Sequence, residues 1–337
     1  MNLVKVKVLE YLLQHKNKVV SGEKIARSLG ISRNSIWKAV QNLRAEGFVI
    51  EAVTNLGYRL ISEGAVLTKT SVLRQLPQEH PFKIQVEKTI ESTNTELKRQ
   101  AEKGAPEWTV LIAEEQTGGK GRLGRSFYSP PESGLYMSVI LRPTFMPQDA
   151  LYITVAAAVA VSEVIEKISG FETGIKWVND IYCRGKKVCG ILTEASLDFE
   201  SGSVNYVVLG IGINLAVKEG GFPLEIAEIA GAVFPEEPPE GAKVRLTAEI
   251  LTRFKALYDE LLACKYMTEY QRRSILTDAN ISVIQGNSKE KGRVIGISNK
   301  AELILRLDSG EIKKYSSGEA SVDKESLKRM MKKRGEN

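Results

Sequence analysis

Gln116-Thr117-Gly118-Gly119-Lys120-Gly121-Arg122-Leu123-Gly124-Arg125 is the stretch on which the reading of this chain turns. Glycines at 118, 119, 121 and 124 alternate with cations at 120, 122 and 125. Glycine lets backbone approach a ligand closely and reach positive φ at low cost. Interleaved cations set positive charge beside exposed backbone N–H groups, which suits a mobile loop over a phosphate or acyl-phosphate. The spacing matches neither GxxxxGK followed by Ser or Thr nor GxGxxG, so the two common nucleotide-loop readings fail.

Working outward, the flanks predict strands at Lys83–Val86, Thr109–Glu114, Leu135–Leu141, Gly174–Trp177, Ile181–Cys183, Lys187–Glu194 and Val204–Ile213. Helices are predicted at Val66–Leu76, Thr95–Lys103, Gln148–Ile168 and Thr247–Glu269. The two kinds mix without regular βαβ alternation, which favours an α+β arrangement around a mixed or antiparallel sheet. Gln148–Ile168 is apolar nearly all round and reads as core. With 337 residues the chain is too long for one small core, and three domains are expected, at 1–63, 66–272 and 278–325.

Hydrophobic content of 43% and charged content of 26% are ordinary for a globular protein. Met1 runs straight into an amphipathic helix pattern, and the longest apolar run, Leu151–Val161, is too short to span a bilayer. Three cysteines without a CxxC pattern predict a reduced, cytoplasmic protein lacking a cysteine-metal site. His15 and His80 are the only histidines, and neither lies near a promising motif, which disfavours histidine catalysis.

The net charge of +6 is uneven: residues 1–63 hold ten Lys or Arg against five Glu. Val4, Val8, Leu9, Leu12 and Leu13 recur at helical spacing. Ser21 is placed to cap a second helix stopped by Gly30, and Ser32 to cap a third with the apolar face Ile36, Val40 and Leu43. Two short helices around a glycine turn make a helix-turn-helix. The third helix opens on Arg33, Asn34, Trp37 and Lys38, where a recognition helix meets base edges. Extended runs on either side of Thr54–Gly57 predict a hairpin, completing a winged helix with Arg59 placed for phosphate. DNA binding is the expectation, with a winged helix used only for protein contacts as its alternative.

Four motifs stand at strand ends in the central part. Ser92-Thr93-Asn94 precedes a helix, where it also reads as a simple cap. The glycine-basic loop is the second. Lys176-Trp177-Val178-Asn179-Asp180 ends a strand in an amide and a carboxylate suited to a cation or its metal. Lys187 with Gly190, then Gly210-Ile211-Gly212-Ile213-Asn214, completes the set; the last glycines leave room for a flat ligand.

Together these motifs resemble those of the biotin protein ligases, and with the winged helix the bifunctional ligase/repressor type, over roughly residues 4–325. Ile281–Val322, with turns at Gly286, Gly292, Gly296 and Gly310, resembles the SH3-like β-barrel of that family, and Gly318-Glu319 its short inner-edge motif. The resemblance implies two steps: biotin and ATP form biotinyl-5′-AMP, and a lysine of a biotin carboxyl carrier domain then takes the biotinyl group. It implies that Ser92, Thr93, Asn94 and Gln116 bind the ring end of biotin. Lys120, Gly121 and Arg122 would cover biotin and its acyl-phosphate, with Lys187 on the carboxylate or α-phosphate oxygen; Lys187, Arg122 and Lys120 would form the catalytic set. Gly119, Arg125, Asn179, Asp180, Gly190 and Asn214 would lie on the adenylate side, with Asp180 toward Mg²⁺. It further implies an adenylate-bound homodimer on two-half-site operator DNA.

Two positions depart from the family pattern. Lys120 stands where arginine is usual, which implies looser retention of the adenylate, since a lysine lacks the planar fork. Val178 stands where proline is usual, which implies a less rigid Asn179–Asp180 backbone. A lipoate-type ligase and a regulator that senses biotin without ligating it remain the rival readings.

Overall fold

The computed structural model describes residues 3–45, 47–62, 67–198, 202–286 and 288–322. The expected boundary at Glu63-Gly64-Ala65 and the basic tail Lys324–Asn337 lie outside them. The chain divides into two compact units, 1–75 with 239–245, and 76–238 with 246–337.

In the first unit, α1 (Leu3–Gln14), α2 (Gly22–Leu29) and α3 (Arg33–Ala45) precede the hairpin β1 (Val49–Val53) and β2 (Gly57–Ser62), and α4 (Lys69–Gln75) follows. Ser21 Oγ accepts from the Lys24 N–H at 3.1 Å, and Ser32 Oγ from that of Ser35 at 3.1 Å, so both predicted caps supply orphan helix donors. Gly30 ends α2 at φ 66°, the left-handed stop that glycine favours. Val8, Leu9, Leu12, Ile25, Ile36, Val40, Leu43 and Leu60 close one core. At the hairpin, Gly57 has φ 127°, and a Cβ there would fall 2.1 Å from the Val20 carbonyl, so only glycine fits.

The second unit is built on β3 (Lys83–Ile90), α5 (Thr93–Glu102), β4 (Thr109–Gln116), β5 (Gly134–Leu141), α6 (Ala150–Ser169), β6 (Thr173–Lys176), β7 (Asp180–Cys183), β8 (Lys186–Leu197) and β9 (Val204–Asn214). These strands form a seven-stranded mixed sheet in the order β3-β4-β5-β9-β8-β7-β6. Only β3 and β4 pair in parallel, with α5 crossing between them, as a parallel connection requires. α5 packs on β4, β5 and β9, whereas α6 packs on β6, β7 and β8. Residues 153–162 of α6 are all buried, which accounts for its apolar circumference. After α7 (Ala242–Asp259) and α8 (Met267–Arg273), the strands β10 (Asn280–Gln285), β11 (Ser288–Ile297), β12 (Leu303–Leu307), β13 (Ile312–Tyr315) and β14 (Glu319–Ser321) make an antiparallel sheet ordered β13-β12-β11-β10-β14.

The single helix predicted over Thr247–Glu269 is two. α7 starts earlier, after Gly241 at φ 73°, and stops at Asp259; a short turn and Cys264 at φ 53° redirect the chain into α8. No glycine or proline marks this break, and the apolar spacing continues across it. The break places Tyr270 and Arg273 of α8 in the core.

Arg273, 3% exposed, sets its guanidinium against both Glu166 oxygens at 2.5 and 2.9 Å, the Thr173 hydroxyl at 3.1 Å and Glu269 at 2.7 Å. Burial raises the Glu166 pKa, but hydrogen bonds from Arg273 and Thr173 outweigh it and hold the carboxyl below its usual range. Arg273→Met should therefore lower stability at neutral pH by about 3 kcal/mol, because Glu166 keeps its charge and loses its partner. Because the folded-state pKa of Glu166 is depressed, its contribution is present above the unfolded pKa and is lost as pH falls through the folded-state pKa. Urea unfolding of both proteins from pH 7 to pH 3 should show the gap shrinking on the acid side.

Candidate active site

The four strand-end motifs converge on a cavity of about 160 Å³ in the second unit. Its polar floor is one hydrogen-bonded network. Ser92 caps α5 through the Thr95 N–H, and the capping geometry turns Thr93 and Asn94 inward, both buried. Gln116, at the end of β4, accepts the Thr93 N–H at 2.8 Å and its hydroxyl at 3.0 Å, and donates to Ser129 at 3.1 Å. The fully buried Ser138 hydroxyl lies 2.7 Å from Thr93 Oγ1 and 2.6 Å from Asn94 Oδ1. Asn94 donates to Glu194 at 2.8 Å, and Lys98 holds the same carboxylate at 2.7 Å. Burial works against the Glu194 charge, but these two donors keep its pKa below the usual range. Ser92 thus caps the helix as read, and the next two side chains line the cavity.

Gly190, Gly210 and Gly212 of β8 and β9 line the cavity, and their missing side chains also make room for neighbouring protein groups. A Cβ on Gly210 would fall 2.1 Å from Asn94 Oδ1, and one on Gly212 2.5 Å from the Phe127 ring. Gly190 faces the same ring, its Cβ position 3.1 Å away. Phe127 therefore lies over β8 and β9 as an apolar wall.

The opposite end is cationic. Arg122, Arg125, Lys176 and Lys187 line it against two carboxylates, Asp180 and Glu319, while Lys120 lies within electrostatic range of Glu194 at the floor. Arg122 donates to Asn179 Oδ1 and to the Gly318 carbonyl, each at 3.1 Å. Arg125 forks onto both Glu319 oxygens at 2.8 and 2.7 Å, and this pairing holds the Glu319 carboxyl below its usual range. Lys187 Nζ stands 2.6 Å from Asp180 Oδ1. Asn179 is fixed by exchange with β8: its amide donates to the Ile191 carbonyl at 2.8 Å, and its carbonyl accepts from Ile191 N–H at 3.0 Å. Tyr270 donates to the Val178 carbonyl at 2.9 Å, and the Trp177 indole to the Ala301 carbonyl at 2.9 Å. The segment is thus held from both sides with valine at 178.

Ser92, Thr93, Asn94, Gln116, Lys120, Gly121, Arg122, Arg125, Asn179, Asp180, Lys187 and Gly190 all line the cavity. Gly119 and Asn214 do not. Gly119 takes the Phe127 N–H on its carbonyl, and its Cβ position is 2.5 Å from the Phe127 carbonyl, so it closes the loop. Asn214 donates to Gly231 at 3.0 Å and pins the segment that pairs beside Lys187. Sequence reasoning assigned no role to Lys176 or Phe127. Burial pushes the Lys176 pKa down; its signal was its place in the strand-end motif. For Phe127 the signal was the pair of side-chain-free positions at 190 and 212.

Three family models match in succession: HTH domain over 5–59, Biotin/lipoate A/B protein ligase family over 86–214, and Biotin protein ligase C terminal domain over 280–323. The bifunctional ligase/repressor BirA of Bacillus subtilis is 34% identical over 319 residues, covering 92% of this chain and 96% of the relative. The chain belongs to the BirA family of bifunctional ligase/repressors. The Escherichia coli BirA is 28% identical, over 90% of this chain and 92% of its own length. The Aquifex aeolicus biotin protein ligase, solved with biotin and ATP, superposes with a TM-score of 0.59 at 27% identity, covering 71% of this chain and 97% of that one.

As in a BirA family member with a helix-turn-helix, the other expected contacts lie in the first unit. Arg33, Asn34, Trp37 and Lys38 are all exposed on α3. Arg59 is bound to Glu51 across the hairpin at 2.5 Å, so a phosphate would have to exchange with that carboxylate. Among the described residues no helix is long and apolar enough to cross a membrane.

The Arg125–Glu319 pair ties the basic loop to β14. Glu319→Gln should free it without touching the floor. Limited trypsin digestion of the ligand-free protein should then cut within 117–125 about threefold faster or more, because local opening governs such cleavage. Unchanged cleavage would mean that the loop's other contacts, Arg122 and the backbone bonds of Thr117 and Gly118, hold it without this pair.

Proposed function

We propose that this protein activates biotin with ATP and transfers it to a lysine of a biotin carboxyl carrier domain, and that its adenylate-bound form represses biotin genes. The observation carrying the ligase reading is the polarity of the cavity: a hydrogen-bonded floor at one end and four cations set against two carboxylates at the other. Biotin has that same polarity, with a ureido ring at one end and a carboxylate at the other.

In the first step a biotin carboxylate oxygen attacks the α-phosphorus of ATP. A P–O bond forms, the bond to the β-phosphate oxygen breaks, and pyrophosphate leaves. Anion meets polyanion, so the barrier falls where fixed cations face the developing charge. Lys187 on β8 and Arg122 on the loop supply that charge from opposite sides, Lys187 exchanging Asp180 for the ligand's oxygen. Thr93, Asn94 and Gln116 orient the ring end, and Phe127 excludes water beside the acyl group. In the second step the carrier lysine amine attacks the acyl carbon, the C–O bond to phosphate breaks, AMP leaves, and the nitrogen loses a proton. The nucleophile comes from the partner, so the chain needs none of its own.

Among the described residues no three His, Cys, Asp or Glu side chains cluster to cage a metal. Mg²⁺ held by one carboxylate and substrate phosphates fits this donor set, with Asp180 as that carboxylate. It would supply charge neutralisation at the phosphates.

Lys187→Ala should lower carrier biotinylation by about 10²- to 10³-fold, read in kcat with radiolabelled biotin. Activity near wild type would remove this mechanism, and a preference for lipoate over biotin in the same assay would favour the lipoate-type ligase. Lys120→Arg should slow release of biotinyl-AMP roughly tenfold, about the effect of one added hydrogen bond to a charged group. Equal or faster release from the variant would show that position 120 does not tune retention.

For regulation, ligand-linked dimerisation requires that the dimer bind biotinyl-AMP more tightly than the monomer. A twofold dimer then matches two half-sites. Sedimentation with biotin and ATP should shift the monomer–dimer equilibrium toward dimer; an unmoved equilibrium would leave this chain a ligase without the repressor switch.

A further inference from the structure

Trp37 keeps 51% of its surface in water. The buried face of α3 is Ile36, Ala39, Val40 and Leu43, and the hydrophobic cluster of this unit closes without Trp37. Its neighbours on the exposed face are Arg33, Asn34 and Lys38. An indole is a large apolar surface. Here it shares the exposed face of the helix with cations and an amide, on the helix that faces the major groove in this motif.

The base edges in that groove offer one apolar group, the C5-methyl of thymine. We propose that Trp37 is a specificity-determining residue that packs on a thymine methyl within the half-site read by α3. The proposal rests on the DNA-binding reading above. Arg33 stands four residues before Trp37 and Asn34 three, a rise of about 4.5 to 6 Å along the helix. That is about one to two base-pair steps. The thymine therefore falls within about two pairs of the purine that Arg33 or Asn34 reads, guanine for arginine and adenine for asparagine. Lys38, adjacent in sequence, takes phosphate and carries no base information.

The test uses the full chain with biotin, ATP and Mg²⁺. Duplexes are selected from a random pool, and the enriched half-site is resynthesised with deoxyuracil for each thymine in turn, which removes only the methyl group. At fixed salt, one such replacement should weaken wild-type binding about tenfold. Trp37→Ala should bind the thymine and uracil duplexes equally, at the weaker level. Trp37→Phe, which keeps an apolar ring, should retain part of the discrimination. An unchanged melting temperature for both variants shows that α3 is intact; if Trp37→Ala fails to fold, Trp37→Phe and the wild-type uracil series still decide. Equal wild-type affinity for thymine and uracil at every position overturns the proposal, as does a thymine preference that survives in Trp37→Ala. Tighter binding to the single strand than to the duplex assigns the indole to base stacking instead. A pool without any enriched sequence removes the repressor reading itself, and the proposal with it.

Discussion

Arg122 joins three pieces of the second unit that are far apart in sequence. One of its N–H groups rests on Asn179 at the head of β7, and the other on the Gly318 carbonyl beside β14. Asn179 is itself locked to β8 through Ile191, so the guanidinium is referenced to the centre of the mixed sheet. The basic loop, the strand that carries Asp180 and the small C-terminal sheet thus share one contact point. A planar fork can serve two acceptors at once, which an ammonium does less specifically.

Much of this was legible in the residues. The capping serines, the glycine stop at 30 and the apolar stripes of the first three helices specify the helix-turn-helix locally, and the structure follows them. Ser92–Asn94, Gln116, Arg122 and Lys187 announce themselves by chemistry at strand ends. What escaped were features whose cause is tertiary. The break between α7 and α8 has no glycine or proline to mark it; the left-handed position there is taken by Cys264. Asn214 ends a glycine-rich strand, and its bond to the Gly231 carbonyl, seventeen residues on, has no local signal. The purpose of Gly210 and Gly212 was readable only as a need for space; which groups fill that space depends on α5 and the loop after Arg125 arriving from elsewhere in the chain.

The glycines also explain how a cavity between β-strands can be polar at one end and apolar at the other. Removing side chains from β9 lets Asn94 sink onto the strand, where Ser138 and Glu194 satisfy it, and lets Phe127 lie flat beside it. Buried polar groups cost little when every partner is supplied. Shape and hydrogen bonding of the floor therefore come from the same few positions.

The two Arg–Glu contacts differ in their setting. Arg273 is sealed in the core, whereas the Arg125 side chain is 66% exposed where it meets Glu319. Mobile ions screen the second far more than the first, with a screening distance of about 8 Å at physiological ionic strength. Salt thus acts on the loop over the cavity while leaving the scaffold beneath it untouched. The ionic composition around the protein becomes a dial on how readily its entrance opens, separate from temperature or denaturant, which act on the whole fold.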